Sequence, residues 1–567
     1  MRPFSPARRL KAFAVGILPA VFMLPVAYAQ TPPDAGALQR EAERARTAPA
    51  VPALPAPPAP MKVEAKGATV TVKSFRIEGA SRFSAAELAG LLADQVGKTL
   101  TLAELEQTAR RIAAHYRERG WFARAYLPEQ DITAGVIVIQ VIEGRFGGAR
   151  IERDGSRADA DFAARIAAAR LAPGEPLSAA DLERGLLLAN DLPGIKTAGI
   201  LEAGDTPGET RLTLKVADGP YVGGDAALNN HGTRSTGQEQ INANFYLNPG
   251  DGSQWRLNVL AAEKLASLRA QYALPIGADG LRANLHLSDL RYRLGGDFAN
   301  LDASGDAQSA GAALNYPLIR SEAANLNLNG AIEHRRYADD SMGVAQRRKQ
   351  ADAFTLSAGG DRTDGWGGGG LTQGSLAIAL GTVDLSGVAA DLVADQAGPR
   401  ANGRYAKLSG QVVRLQRVAE SISLHTALSA QWADKNLDSS EKFALGGPYG
   451  VRAYPVSEAS GDAGWLLNLE LRKELADGWR AFGFVDGGEI RQHSNPWAGW
   501  DAGSGQPNSY SLMGAGFGIA WNRPGDIALQ LTLATPVGNH PGKTATGKNQ
   551  DGSTSEARAW LRIAKYF

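Results

Sequence analysis

From Tyr221 to Phe567 the chain alternates with a period of two and shows no helical periodicity. In INANFYL, Ile241, Ala243, Phe245 and Leu247 share one face, while Asn242, Asn244 and Tyr246 share the other. WRLNVLA, LRAQYAL, NLNLNGAI, ISLHTALSAQW and IALQLTLAT repeat the pattern. About sixteen such segments occur, each near the ~10-residue length of strands that turn one face to lipid and the other to a wet interior. A strand in hydrocarbon cannot leave its edge unpaired, so the last segment must close against the first. A soluble β-sandwich also alternates, but its inner faces are more apolar than these rows of Asn, Gln, Arg, Ser and His.

The connections sharpen this reading. The 2–3, 4–5, 6–7, 10–11, 12–13 and 14–15 links are short, as in NPGDGSQ, PIGADG and NRPGD. The 5–6, 7–8, 9–10, 11–12, 13–14 and 15–16 links are expected to be long and polar, as in LGGDFANLDASGDAQS and GNHPGKTATGKNQDGSTSE. Short turns on one rim and long loops on the other belong to a membrane barrel. The expected architecture is α+β domains followed by a 16-stranded antiparallel transmembrane β-barrel over 220–567. Phe567 gives the barrel an aromatic end, whereas Lys565 stands where an apolar residue would be usual. The glycine run GWGGGG, 365–370, lacks the lysine and helix of a phosphate loop and reads as a turn on the short-link rim.

The chain starts as an exported protein does. Arg2, Arg8, Arg9 and Lys11 precede FAVGILPAVFMLPV, and Ala27-Tyr28-Ala29 supplies a cleavage site, so 1–29 reads as a secretory signal. Residues 34–48, DAGALQREAERARTA, are helix formers with Asp34 as a cap. The proline-rich 49–68 segment reads as a semi-rigid linker. A lone polar helix on a linker buries no core of its own, so it must be disordered or docked elsewhere.

Residues 69–145 and 146–219 read as two copies of one β-α-α-β-β unit, each about 75 residues long. Ser84 and Thr101 are expected helix caps, with Glu87 and Glu104 three positions on.

Composition narrows the function. With 567 residues, a formal net charge of +1 and 21% charged residues, no nucleic-acid partner is called for. The chain has no cysteine, so thiolate metal sites and disulfides are excluded. The seven histidines and scattered carboxylates form no recognisable catalytic or metal-binding set. Neither an enzyme nor a cofactor is expected.

The 11–12 link contains GGPYGVRAYP, with Arg452 at the centre of a glycine- and proline-rich loop. Two segments on, FGFVDGGEI places Asp486 on a face with Phe482 and Phe484. A carboxylate in lipid is expensive, so that face is expected to be the lumen. A loop this rich in glycine can fold inward and bring Arg452 to Asp486 as a bidentate pair. Gly446, Gly447 and Gly450 would permit the tight backbone, Pro448 would stiffen it, and Tyr454 would pack on the lumen wall. The sequence alone equally allows a solvated loop arginine and an unrelated aspartate.

GGPYGVRAYP resembles the Val-Arg-Gly-Tyr loop motif of two-partner secretion transporters, the haemolysin secretion/activation family ShlB/FhaC/HecB. FVDGG resembles that family's Asp-x-Gly strand motif, and DAALNNHGTRSTGQEQ its first barrel hairpin. YLPEQDITAGVIVIQVIEG and LANDLPGI resemble segments of its two periplasmic POTRA domains. The resemblance runs from the signal to the last residue.

It implies an outer-membrane pore in a Gram-negative bacterium that secretes one large β-helical partner exoprotein without nucleotide. The POTRA units would capture the unfolded partner, and the helix within 30–48 would plug the lumen. The loop 433–464 would tuck inward, with Arg452 paired to Asp486. Gly446, Gly447, Val451 and Tyr454 would form the loop motif, and Phe484 and Gly488 the strand motif. Periplasmic chaperones, the barrel-assembly machinery and outer-membrane lipid are the other implied partners. Ala453 departs from the motif, which has glycine there. A barrel-assembly factor of the same superfamily is the alternative. A passive porin would leave 69–216 without a task.

Overall fold

A computed structural model describes residues 32–47, 69–130, 134–501 and 505–567. The expected signal, 1–29, and linker, 49–68, lie outside the described residues.

Two small α/β units come first. In one, the strands Ser74–Glu78, Val136–Glu143 and Ala123–Tyr126 form a sheet in that spatial order, the first pair parallel. Helices Ala85–Gly90 and Leu102–Glu118 cover it. Ser84 accepts from the Glu87 amide, and Thr101 and Glu104 make a reciprocal capping box, so both helices start where their caps dictate. The apolar stripe Leu105, Ile112 and Tyr116 packs on Ile137 and Ile139. The second unit repeats the plan with strands Arg145–Asp154, Glu209–Asp218 and Ile195–Ala203 and helices Ala160–Ala167 and Ala179–Asn190.

Sixteen antiparallel strands then close into a barrel, from Val222–Asn229 to Arg558–Tyr566. The last strand pairs with the first, Arg562 opposite Asn229 and Tyr566 opposite Asp225. Alternation decides which face each residue takes. Leu228, Phe245, Leu287, Ile332, Phe354, Leu376 and Phe517 point outward and are exposed, forming an apolar belt that hydrocarbon would cover. No helix among the described residues is long and apolar enough to cross a membrane. Lys565 lies opposite Ile527, at the rim, and its ammonium reaches Asp526 in the adjoining turn, outside the apolar belt.

One connection departs from expectation. The 7–8 link is the two-residue turn Met342-Gly343, because the flanking strands Ala324–Ser341 and Val344–Asp364 run to 18 and 21 residues. The polar run YADDSMGVAQRRKQ continues as β-ladder above the apolar belt, where the outer face is polar as well as the inner one and the apolar period no longer marks strand. GWGGGG forms a short turn between the eighth and ninth strands.

The second α/β unit is clamped to the rim of short turns. Arg170 donates twice to Asp279, at 2.9 and 3.0 Å, and Arg320 twice to Asp191, at 2.7 and 2.8 Å. The Arg170 pair, aided by Tyr316 and opposed by partial burial, holds the Asp279 carboxyl at about 2. Paired forks fix orientation as well as distance.

Candidate functional site

Two elements occupy the lumen. The helix Ala35–Thr47 begins at Asp34, whose carboxylate accepts from the Ala37 amide at 2.9 Å. Ala35, Leu38 and Ala42 are buried against wall residues including Leu260, Leu290, Tyr292, Tyr337 and Tyr405. Two cations and a hydroxyl fasten its start: Asp34 accepts from Lys349 at 3.2 Å, Arg347 at 3.0 Å and the Ser439 hydroxyl at 2.7 Å. Burial alone would raise the Asp34 carboxyl, but Lys349 and Arg347 outweigh it and hold it well below the ordinary range. Glu41 and Glu43, farther along the helix, are instead pushed up by burial.

The second element is the 11–12 link, 434–462, which folds into the barrel. Its chain turns at Gly447, whose φ of +105° suits glycine. A Cβ at Gly450 would collide with the Leu445 carbonyl oxygen. Gly446 donates to the Glu458 carbonyl at 2.9 Å, closing the base of the loop. Helix and loop hold each other: Arg44 donates to the carbonyls of Ala444, Gly446 and Tyr449, and Arg40 to that of Ser439.

At the tip, Arg452 meets Asp486. Nε and Nη2 donate to the two carboxylate oxygens at 2.8 Å each, and the Arg452 amide adds a third bond at 3.1 Å. Asp486 is fully buried, and Asn468 also donates to it, at 2.7 Å. The remaining terminal nitrogen, Nη1, reaches Glu470 at 2.5 Å, and Glu470 also accepts from Arg472 at 2.8 Å. The guanidinium lies 3.4 Å from the centre of the Phe484 ring, a cation–π contact. Trp560 donates to the Arg452 carbonyl at 2.8 Å. Burial opposes the charge, but the bonds it donates to Asp486 and Glu470 raise the guanidinium above its ordinary value.

The remaining motif residues are packed around this pair. Val451 is buried with Leu445, Leu466 and Leu512. Gly488 gives Leu445 room, since a Cβ there would lie 2.7 Å from Leu445 Cδ2. Ala453 points its methyl at Gly514, where a Cβ would come within 2.5 Å. The methyl that departs from the motif is thus matched by a missing one on the wall. Tyr454 is buried in a cluster with the wall residues Tyr510 and Leu512, and packs edge-on against His540 of the 15–16 link, 5.0 Å between ring centres.

A second set of charges, absent from the sequence reading, anchors the other arm of the loop. Glu441 accepts from Arg335 and Lys407, both at 2.5 Å. Burial resists, yet those two cations hold its carboxyl at about 2. Lys349 bridges Asp438 of the loop, at 2.9 Å, to Asp34 of the helix. Glu470 was legible in principle: WLLNLELR puts Asn468, Glu470 and Arg472 on its polar face. Lys349, Glu441 and Asp438 are joined by long-range contacts and carry no local signal.

A family model for the haemolysin secretion/activation protein ShlB/FhaC/HecB matches residues 208–521. One for the ShlB-type POTRA domain matches 70–144. The heme/hemopexin transporter protein HuxB of Haemophilus influenzae strain 86-028NP is 27% identical over 496 residues, covering 85% of this chain and 84% of that one. The outer membrane transporter CdiB of Escherichia coli is 26% identical over 492 residues, covering 83% and 80%. Among solved structures, E. coli CdiB superposes with a TM-score of 0.67 at 23% identity, covering 93% of this chain and 96% of its own. Haemophilus ducreyi BamA lacking POTRA domains 1–3 gives 0.53 at 14%, covering 88% and 100%.

Proposed function

The chain belongs to the haemolysin secretion/activation family ShlB/FhaC/HecB, and from that premise we propose a mechanism for it as an outer-membrane transporter of two-partner secretion. At rest the lumen is closed by the N-terminal helix and the inward loop. Arg452 is the lock that holds the loop to the wall. The observation that carries this is the fourfold side-chain and backbone binding of Arg452 in the lumen, to Asp486 and Glu470. A buried guanidinium with two carboxylates costs too much desolvation to be left unpaired, so it holds one loop position and resists intermediate ones.

The two POTRA units capture an unfolded β-helical partner exoprotein, offering exposed strand edges for β-augmentation. The clamp of the second unit on the barrel rim aims the captured chain at the lumen. The helix leaves, the loop shifts, and the partner passes extended. Folding outside supplies the direction, because a folded repeat cannot slide back. No catalytic step and no nucleotide is needed. Periplasmic chaperones and the assembly machinery deliver the barrel itself to the lipid. The likeness to BamA is one of fold alone and does not carry an assembly-factor reading.

The test is export. Cells expressing the chain together with a large β-repeat exoprotein encoded beside it should release that exoprotein to the medium. Cells lacking the chain should retain it in the periplasm. Equal release in both would remove the reading.

A further inference from the structure

On the wall that faces the helix start and the first arm of the loop, the charges they satisfy are mostly cations. Arg335, Arg347, Lys349 and Lys407 project into the lumen from neighbouring strands, and Lys349 is only 2% exposed. Three of the carboxylates that meet them, Asp34, Asp438 and Glu441, belong to the helix and the loop. The acids that stay there are Glu333, which accepts from Arg335 and His286, Asp339, which accepts from the Ala35 amide and Tyr292, and Asp391 of the 9–10 link, which pairs with Arg347 at 3.5 Å. When the helix and loop leave, this wall therefore keeps more cations than carboxylates.

The far wall is closer to balance: Asp486 and Glu470 lose Arg452 when the loop leaves, while Arg472, Arg480 and Arg562 stay on the wall. Arg472 is 5% exposed, and its Nη1 is buried with no hydrogen-bond partner among the described residues. Arg472, Arg480 and Arg562, with Glu470 among them, line the cavity of about 660 Å³ that remains beside the helix.

We propose that the emptied lumen is a track for acidic stretches of the exported chain. Their carboxylates take the places that Asp34, Asp438 and Glu441 hold at rest. The helix and loop are then stand-ins for cargo: they present to the wall the side-chain chemistry that the passing chain presents in turn. A basic stretch would meet like charges across a narrow lumen and be slowed. This rests on the secretion reading above and adds the class of segment that the lumen favours.

The experiment uses the chain with residues 34–47 removed and Arg452→Ala added to release the loop, reconstituted in planar bilayers. The barrel is closed by pairing among its own strands, none of it contributed by the helix. Under a KCl gradient the reversal potential should report chloride preferred over potassium by about threefold or more. Hexaglutamate added on the POTRA side should block current at a concentration about tenfold below that needed for hexalysine. Adding Arg347→Gln and Lys349→Gln should weaken the hexaglutamate block by about tenfold. An open channel that prefers potassium, or that hexalysine blocks as well as hexaglutamate does, would overturn the track and leave the plug reading standing. A deletion variant no more conductive than the parent would overturn the plug reading and the track with it.

Discussion

Arg452 and Asp486, 34 positions apart, form a two-pronged pair inside the barrel with both bonds at 2.8 Å, and Glu470 takes the remaining terminal nitrogen. Removing one partner of such a buried set leaves the others charged and unpaired, which costs about 3–5 kcal/mol. Replacing Arg452 by Ala should therefore release the loop and abolish most export. The barrel itself, held by its strand ladder, should still show heat-modifiable migration on gels. Wild-type export by that variant would show that the lock is not required.

Lysine keeps the charge of Arg452 but not its fork. Arg452→Lys can reach Asp486 or Glu470 but cannot pair with both carboxylates in the observed geometry. Export by this variant should fall to a level between wild type and Arg452→Ala. Glu470→Gln should lower export less than Asp486→Asn, because Asp486 accepts two guanidinium bonds and an amide while Glu470 accepts one bond from Arg452. Quantitative secretion assays of the four single variants give the ranking directly.

Lys349 joins the helix to the loop through Asp34 and Asp438. Asp34→Asn should free the helix start and raise the single-channel conductance of the reconstituted protein, with a higher open probability than wild type. Lys349→Met should do the same more strongly, since it strands two carboxylates. Unchanged traces for both would place the helix anchor elsewhere.

Acid should act in a defined window. The docked carboxyls of Asp34 and Glu441 lie below their ordinary values, so their contribution is present above about pH 4.5 and is lost as pH falls toward about 2. Glu41 and Glu43 are raised by burial, so their protonation as pH falls from neutrality favours the docked helix. Conductance should thus stay flat or decline from about pH 8 to about pH 5 and climb only below about pH 4. Opening on mild acidification would contradict these signs.

The barrel and the α/β repeats were legible because each rests on local period: alternation for strands, three-to-four spacing and caps such as Ser84 and Thr101 for helices. The long hairpin around Met342 was not, because above the apolar belt both faces of YADDSMGVAQRRKQ are polar and period two leaves no trace. Arg452 and Asp486 could be paired on paper because one sits in a glycine loop and the other on a polar strand face that lipid would reject. Their company could not. Glu441 with Lys407, and Lys349 with Asp34, are meetings of ordinary surface-type charges from distant segments, which only the closed barrel brings together. The 15–16 link carries no local sign that it folds back to set His540 against Tyr454.

The most direct test is a tether between helix and loop. A Cβ at Gly36 would lie 3.0 Å from Ser440 Cβ, slightly closer than a disulfide prefers and within reach of a small shift. Since the chain has no cysteine, Gly36→Cys with Ser440→Cys creates the only thiol pair. Export of the partner protein should stop in oxidising medium and resume when reductant is added. Equal export in both conditions would mean that the helix need not leave the loop, and the closed-lumen account would fail.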